Sequence, residues 1–180
     1  MLRVSTRLRR SQISSRLPSP VGHLKSVVRF RVLVMGKPRD KTLAAAIDVF
    51  ETRAARYWPL EVTELRDEPA RGRSPEQLQR AEGERLLARV QGRTVIACDE
   101  RGAALTSVVF ARRLRELQEA AADVEILIGG AYGFDDAVRD RASSLLSLAP
   151  WTLSHELARL VLAEQLYRAG TIVRGEPYHK

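Results

Sequence analysis

The sequence predicts an α/β domain built on a mainly parallel sheet with helices on both faces. Three observations carry this prediction. Runs of strand length alternate with amphipathic runs of helix length through most of the chain. Two of the strand-like runs, Phe30–Met35 (FRVLVM) and Thr94–Cys98 (TVIAC), are largely apolar rather than alternating, as strands covered on both sides are. A chain of 180 residues can bury one well-packed core of this kind, and one domain is expected rather than two.

The elements follow in order. Phe30–Met35 is the first strand, closed by Gly36-Lys37-Pro38. Residues 41–57 form an amphipathic helix through Leu43, Ala46, Ile47 and Phe50. Leu60–Leu65 (LEVTEL) alternates and reads as a strand with one wet face, and residues 67–73 form a polar loop. Ser74-Pro75-Glu76-Gln77 has capping-box spacing with proline at the first helical position, so a helix runs from there to about Val90. Thr94–Cys98 is a buried strand that ends in Asp99-Glu100-Arg101-Gly102. Thr106 or Ser107 opens a helix to about Ala121. Glu125–Ile128 is a strand with the exit loop Gly129–Phe134, and a helix near Asp136–Ala142 follows, its acidic start suited to the helix dipole. Leu145–Ala149 is a short apolar run broken at Pro150. A last helix starts from Ser154 as N-cap, with Leu157, Leu160, Val161, Leu162, Leu166 and Tyr167 on its buried face. His155 and Arg159, four apart, share another face.

Charge and composition exclude several functions. The formal net charge is +8, but ten of the 30 Lys and Arg residues fall in residues 1–39, where there is no Asp or Glu. The rest of the chain carries 20 basic against 22 acidic side chains, so nucleic-acid binding has to rest on local patches rather than on global charge. Cys98 is the single cysteine, which excludes an intramolecular disulfide and fits a reducing compartment. One cysteine and three histidines make a dedicated zinc site improbable, and no metal is expected. No apolar run reaches the roughly 18 residues of a transmembrane helix. Residues 1–27 are rich in Arg and Ser, broken by Pro18 and Pro20, and are expected to be a disordered basic extension of a domain spanning 28–180. Three readings of that extension compete: an organelle transit peptide, a basic arm on RNA phosphates, or the product of a start codon assigned too early, with the last favoured. The location is then the bacterial cytoplasm, or an organelle interior if the extension is a transit peptide.

In parallel sheets ligands bind beyond the carboxyl ends of the strands. Three such ends are expected to converge: Cys98-Asp99, Gly129-Gly130 and Ala149-Pro150. The loop Gly129-Gly130-x-x-Gly133 allows close backbone approach but matches neither a dinucleotide fingerprint nor a phosphate loop. No Ser-His-Asp order and no opposed carboxylate pair stands out. The pocket suits a bulky organic cofactor gripped by backbone groups. A core strand, an ordinary bend and a core helix would read the same way locally.

The segments LIGGAYGF (127–134) and LSLAPWTLSHELARLVLAEQLYRA (146–169), with VIACDERG (95–102), Gly36-Lys37 and the terminal Pro177-Tyr178-His179, resemble the RlmH family. These are SPOUT-class, trefoil-knot methyltransferases of large-subunit ribosomal RNA, and the resemblance covers residues 29–180. It implies N3-methylation of a pseudouridine in the subunit-interface stem-loop of that RNA, on the assembled ribosome. It implies S-adenosylmethionine as donor, a homodimer whose pocket is completed by the partner's tail, and a deep C-terminal knot. It places donor contacts on Cys98, Gly129, Leu148, Ala149, Pro150, Trp151, Thr152 and Leu153. Cys98 stands where leucine is common in the family, and Ala149-Pro150 replaces a more polar pair. Pro150 offers a carbonyl but no N–H.

A sulfonium methyl is already activated, so the protein has mainly to align the nucleophile. The pseudouridine N3 must lose its proton, and His155 and His179 are candidate bases, while Tyr178 is a candidate stacking platform for a flipped base. His155 could equally be a helix-start residue bonded to backbone, and His179 part of an unordered end. Arg159, Arg168, Arg174 and Lys180 are expected phosphate contacts. The alternative function is a non-catalytic ribosome-binding or assembly factor that keeps the fold.

Overall fold

The computed structural model describes residues 29–179 and, for His179, the backbone alone. The extension of residues 1–27 and the phosphate contact expected at Lys180 lie outside the described residues. Five parallel strands are joined by helices: β1 Phe30–Met35, α1 Lys41–Ala54, β2 Leu60–Leu65, α2 Pro75–Leu87, β3 Thr94–Ala104, α3 Ser107–Glu119, β4 Val124–Ile128, α4 Asp136–Arg141, β5 Ser144–Ser147 and α5 His155–Val173. A short 3-10 turn, Pro177–His179, follows α5. The sheet order is β2-β1-β4-β3-β5, and every pairing is parallel.

The period-2 alternation of the strands divides the core in two. Phe30, Val32, Val34, Ile96, Ile126 and Ile128 face α1, α3 and α5, where they meet Phe110, Leu114, Leu162 and Leu166. Leu33, Met35, Val95, Ala97 and Leu127 face α2 and α4 and meet Leu86, Phe134 and Val138. Helices therefore cover both faces, as the apolar strand runs predict. Trp58 ties the turn after α1 to α5: its ring lies 5.1 Å from that of Phe30, and its Nε1–H donates to the Leu166 carbonyl at 2.8 Å. One charge is buried in the second core. Glu125, 1 % exposed, accepts from Arg31 at 2.7 Å and from the Gln91 and Gly92 amides at 2.9 Å each, which compensates its loss of water.

Several helix starts match the sequence reading. Ser74 and Gln77 form the full capping box. Thr106, Asp135 and Ser154 each accept a backbone N–H at the helix they cap. Asp40, which the sequence reading passed over, caps α1 through the Thr42 and Leu43 amides at 2.7 and 2.9 Å.

Two differences from the expected elements shape the site. β3 does not end at Cys98. Residues 99–102 swing out of register and the strand rejoins β5 at Ala103, so Cys98 and Ala103 both pair with Leu146. The returning chain crosses β5 at Gly102, where a Cβ would fall 2.5 Å from both the Leu145 carbonyl carbon and the Leu146 nitrogen. Backbone lies on backbone there, and only glycine fits. β5 itself is shorter than the run Leu145–Ala149, because the Ser147 hydroxyl donates to the Ala149 carbonyl at 2.8 Å and turns the chain before Pro150.

Gly102→Ala is expected to lose more than about 4 kcal/mol, or to fail to fold, because neither crossing backbone can yield. Chemical denaturation at fixed protein concentration checks it, with Gly72→Ala as the control: an added Cβ there meets nothing within 4 Å, and the expected cost is only the roughly 1–2 kcal/mol of holding a non-glycine residue at φ +77°.

Candidate active site

The carboxyl ends of β3, β4 and β5 enclose a cavity of about 370 Å³. Its walls come from the three expected bends: Cys98 to Arg101, Ile128 to Phe134, and Ser147 to Leu153 without Pro150. His155 and Ala158 of α5, Gln79 of α2 and Arg139 of α4 complete it. The volume lies within the range of small-molecule sites, and most of its lining residues belong to the loops that follow the strands.

Each wall has a local cause. The bulge after Cys98 is held by Asp99, whose carboxylate accepts from the Arg101 amide and from Arg139 Nε at 2.9 Å each. Arg139 also reaches Asp136 at 3.1 Å, so the bulge is anchored to α4. Thr152 donates to Glu100 at 2.8 Å, which joins the first wall to the third. The glycine loop comes close because side chains there would collide: a Cβ at Gly129 would meet Phe134 and Gly133 at 3.1–3.2 Å. One at Gly130 would fall on the Glu82 carboxylate.

Cys98, Gly129, Leu148, Ala149, Trp151, Thr152 and Leu153 thus share one cavity; Pro150 is exposed and does not line it. Burial pushes the Cys98 thiol up to about 12, so it stands in the wall as a neutral group and not as a thiolate. His155 lines the cavity, and its Nε2 is buried without a hydrogen-bond partner, 3.9 Å from Glu156.

Tyr178 does not line the cavity of its own chain. It folds back on α5, its ring 4.5 Å from that of Tyr167 and its hydroxyl donating to Glu164 at 3.1 Å. Glu164 lies nine residues along α5 from His155, so the tail packs roughly 14–20 Å along the axis from its own pocket. Arg168 bonds Glu164 and stacks 4.8 Å over the Tyr178 ring, and Arg174 lies 4.6 Å over Tyr57. Arg53, 5.7 Å over Tyr167, and Arg56, whose carbonyl accepts from Arg174, extend this basic and aromatic surface. Neither arginine stood out in the sequence, because each sits on a helix end far from any motif.

Arg159 departs from expectation. It is 7 % exposed and is gripped by Glu51 at 2.8 Å and Glu64 at 2.6 Å. It ties α5 to α1 and β2 and has no free edge for a phosphate. The buried stripe of α5 runs Arg159, Leu162, Ala163, Leu166, Ala169 and Gly170, which turns Leu157 outward to 40 % exposure. Among the described residues no group of three or more His, Cys, Asp or Glu side chains is arranged to hold a metal ion, and no helix is long and apolar enough to cross a membrane.

A family model described as "Predicted SPOUT methyltransferase" matches residues 28–179. The ribosomal RNA large subunit methyltransferase H of Gemmatimonas aurantiaca is 54 % identical over 154 residues, which is 85 % of this chain and 100 % of the relative. The chain belongs to the RlmH family of SPOUT methyltransferases. Two further relatives of the same name, from an Anaeromyxobacter species and from Pelobacter propionicus, are 48 % and 44 % identical over 154 residues, covering 85 % and 84 % of this chain and 100 % and 99 % of the relatives. The cavity of this RlmH-family chain is built almost entirely from the segments that carried the resemblance.

Two outcomes are expected of these side chains. Arg159→Ala, which strands Glu51 and Glu64, is expected to cost about 2–3 kcal/mol in urea unfolding, below the value for a fully buried pair because both carboxylates keep some solvent. Alkylation of Cys98 by iodoacetamide is expected to stay slower than that of free cysteine by at least about tenfold at pH 8 in the folded protein, and to become equal in urea.

Proposed function

We propose that this protein uses S-adenosylmethionine to methylate N3 of a pseudouridine in the subunit-interface stem-loop of large-subunit ribosomal RNA, acting in the cytoplasm on the assembled ribosome as a homodimer. The observation that carries the reading is the single cavity shared by the three bends, in a chain 54 % identical to a ribosomal RNA large subunit methyltransferase H. Membership of this family makes the chain an rRNA methyltransferase with a methyl donor; the donor's identity, the nucleotide and the dimer belong to the proposal.

The residues present suit such a donor. Cys98, Gly129, Leu148, Ala149, Trp151, Thr152 and Leu153 would hold it, with Pro150 shaping the bend from outside. Cys98, neutral where leucine is common, adds no charge of its own beside the donor. When bound, the donor supplies a methyl group on a sulfonium, already activated for transfer. The protein's own work is to place N3 in line with it, to keep water out, and to accept the N3 proton. His155 is the candidate acceptor inside the cavity. Tyr178 and His179 would come from the second protomer, because a chain's own tail packs away from its own pocket. Tyr178 would stack on the extruded base, with His179 beside it. Arg168, Arg174 and Lys180 would bind phosphate, while Arg159 serves as a structural tie.

Mass-spectrometric mapping of methylated nucleotides in ribosomes from cells with and without the protein tests the reaction; an unchanged pseudouridine would refute it. Mixed dimers test the trans arrangement. A chain lacking Tyr178–Lys180 and a chain with Ala149→Phe, which fills the cavity, are each expected to lose at least about 100-fold of the transfer rate. Together they should regain up to about a quarter of wild-type rate, since statistical mixing leaves one intact site in half of the dimers. No recovery would place the tail in its own chain's site.

A further inference from the structure

Each wall of the cavity contributes one large side chain that the fold does not use. Arg101 comes from the bulge after Cys98, Tyr132 from the glycine loop and Trp151 from the bend before α5, and all three line the cavity. Trp151 is 71 % exposed and Tyr132 46 % exposed, and Arg101 is exposed as well. A residue that lines a cavity and yet keeps this much of its surface in solvent stands at the mouth, not on the floor. The contrast is Trp58, which is buried, packs on Phe30 and donates its Nε1–H to the Leu166 carbonyl. The hydrogen bonds of Arg101 and Tyr132 are main-chain bonds: the Arg101 amide donates to Asp99, and the Tyr132 carbonyl accepts from Gln79. Among the described residues the Trp151 indole N–H, the Tyr132 hydroxyl and the Arg101 guanidinium have no hydrogen-bond or ion-pair partner. Neither ring stacks there on an aromatic or under an arginine, as Tyr167, Tyr178 and Tyr57 do.

The neighbouring charges leave Arg101 available. Asp99 is taken by Arg139 at 2.9 Å. Glu100 accepts from the Thr152 hydroxyl at 2.8 Å and so faces the third wall. The mouth therefore offers two open π faces and a guanidinium. Unpaired RNA presents the complement, since every base has a π face whatever its sequence, and a phosphate accompanies every base. A second copy of this chain fits less well, because a protein surface seated across all three walls would seal the cavity against the nucleotide that has to enter it. The methyl donor fits less well too. Cys98, Gly129 and Leu148, which would hold it, are half-buried, whereas these three side chains are exposed.

We propose that Arg101, Tyr132 and Trp151 form a rim that binds an unpaired stretch of RNA: bases flanking the extruded nucleotide stack on the two rings, and a backbone phosphate takes the guanidinium. The rim belongs to the same chain as the cavity it surrounds, whereas Tyr178 would arrive from the second protomer. It makes the site selective for a loop over a duplex, because bases stacked in a helix have no free face to give. The proposal rests on the function given above for the identity of the nucleotide, but the preference for single strands stands on the rim alone.

In the experiment the full-length protein is titrated with a single-stranded RNA of about 12 nucleotides, and with the duplex it forms with its complement, while tryptophan emission is followed. The chain holds two tryptophans, and Trp58, 1 % exposed, is out of reach of a stacking base. The single strand is expected to quench the emission and to bind at least about tenfold more tightly than the duplex. Tyr132→Ala should weaken single-strand binding by about tenfold, and Tyr132→Phe should keep it within about twofold of wild type. Arg101→Ala should weaken it by a similar factor and lower the slope of log affinity against log salt by about 0.7, the share of one phosphate. The Kd for S-adenosylmethionine should stay within about twofold in Tyr132→Ala and Arg101→Ala. Equal binding of strand and duplex, or a bound strand that leaves the emission unchanged, would overturn the rim. So would a loss of S-adenosylmethionine affinity in Arg101→Ala with RNA binding intact, which would assign the guanidinium to the donor's carboxylate. Dissociation of Trp151→Ala to monomers in sedimentation, where wild type is a dimer, would place that ring in a contact between chains and overturn its role here. If the rim discriminates as expected and the protein methylates no ribosomal nucleotide, the proposed function fails and the rim stands.

Discussion

The site depends on one close passage of the backbone. At Gly102 the chain returning from the bulge after Cys98 runs across Leu145 and Leu146 with no room for a side chain between. Because the bulge returns, residues 99–101 project into a wall and do not form a free loop. Because β5 lies under the return, its end is brought beside the end of β4. The cavity is therefore a consequence of how two strands cross. The crossing is consistent with the knotted topology that the resemblance implies.

Polar ties hold the walls at the spacing this crossing sets. Asp99 with Arg139 fixes the bulge to α4, and Thr152 with Glu100 joins the first and third walls. On the opposite side of the sheet edge, Arg159 with Glu51 and Glu64 fixes α5, and with it His155 at its start. Ion pairs of this kind add little net stability compared with apolar contacts, but they specify one arrangement, because breaking one partner leaves a buried charge. The glycine loop is the exception, a wall made of backbone whose close approach is limited by Phe134 on one side and Glu82 on the other.

The packing of the tail on its own α5 is what supports the proposed two-chain site. Tyr178 is held by Tyr167, Glu164 and Arg168 at a point well along the helix from His155. Anchored there, Tyr178 stays clear of its own chain's pocket. In the proposed dimer such an arrangement would separate donor binding from substrate presentation between two copies of the chain.

Local sequence determined the kinds of elements, their caps and the three bends that carry the pocket. Apolar runs, the Ser74 capping box, the glycine loop and Pro150 act over a few residues, and short-range rules read such features. Tertiary structure alone decided the strand order β2-β1-β4-β3-β5, the loss of register after Cys98, and the burial of Arg159 where a solvated phosphate contact was expected. It also decided the placement of Glu82 beneath Gly130. These depend on partners from 30 to 108 residues apart, Phe30 with Leu60 and Glu51 with Arg159 being examples of reach that no helical or strand period encodes. A charge within an amphipathic helix reads as a wet residue until the fold brings two carboxylates to meet it.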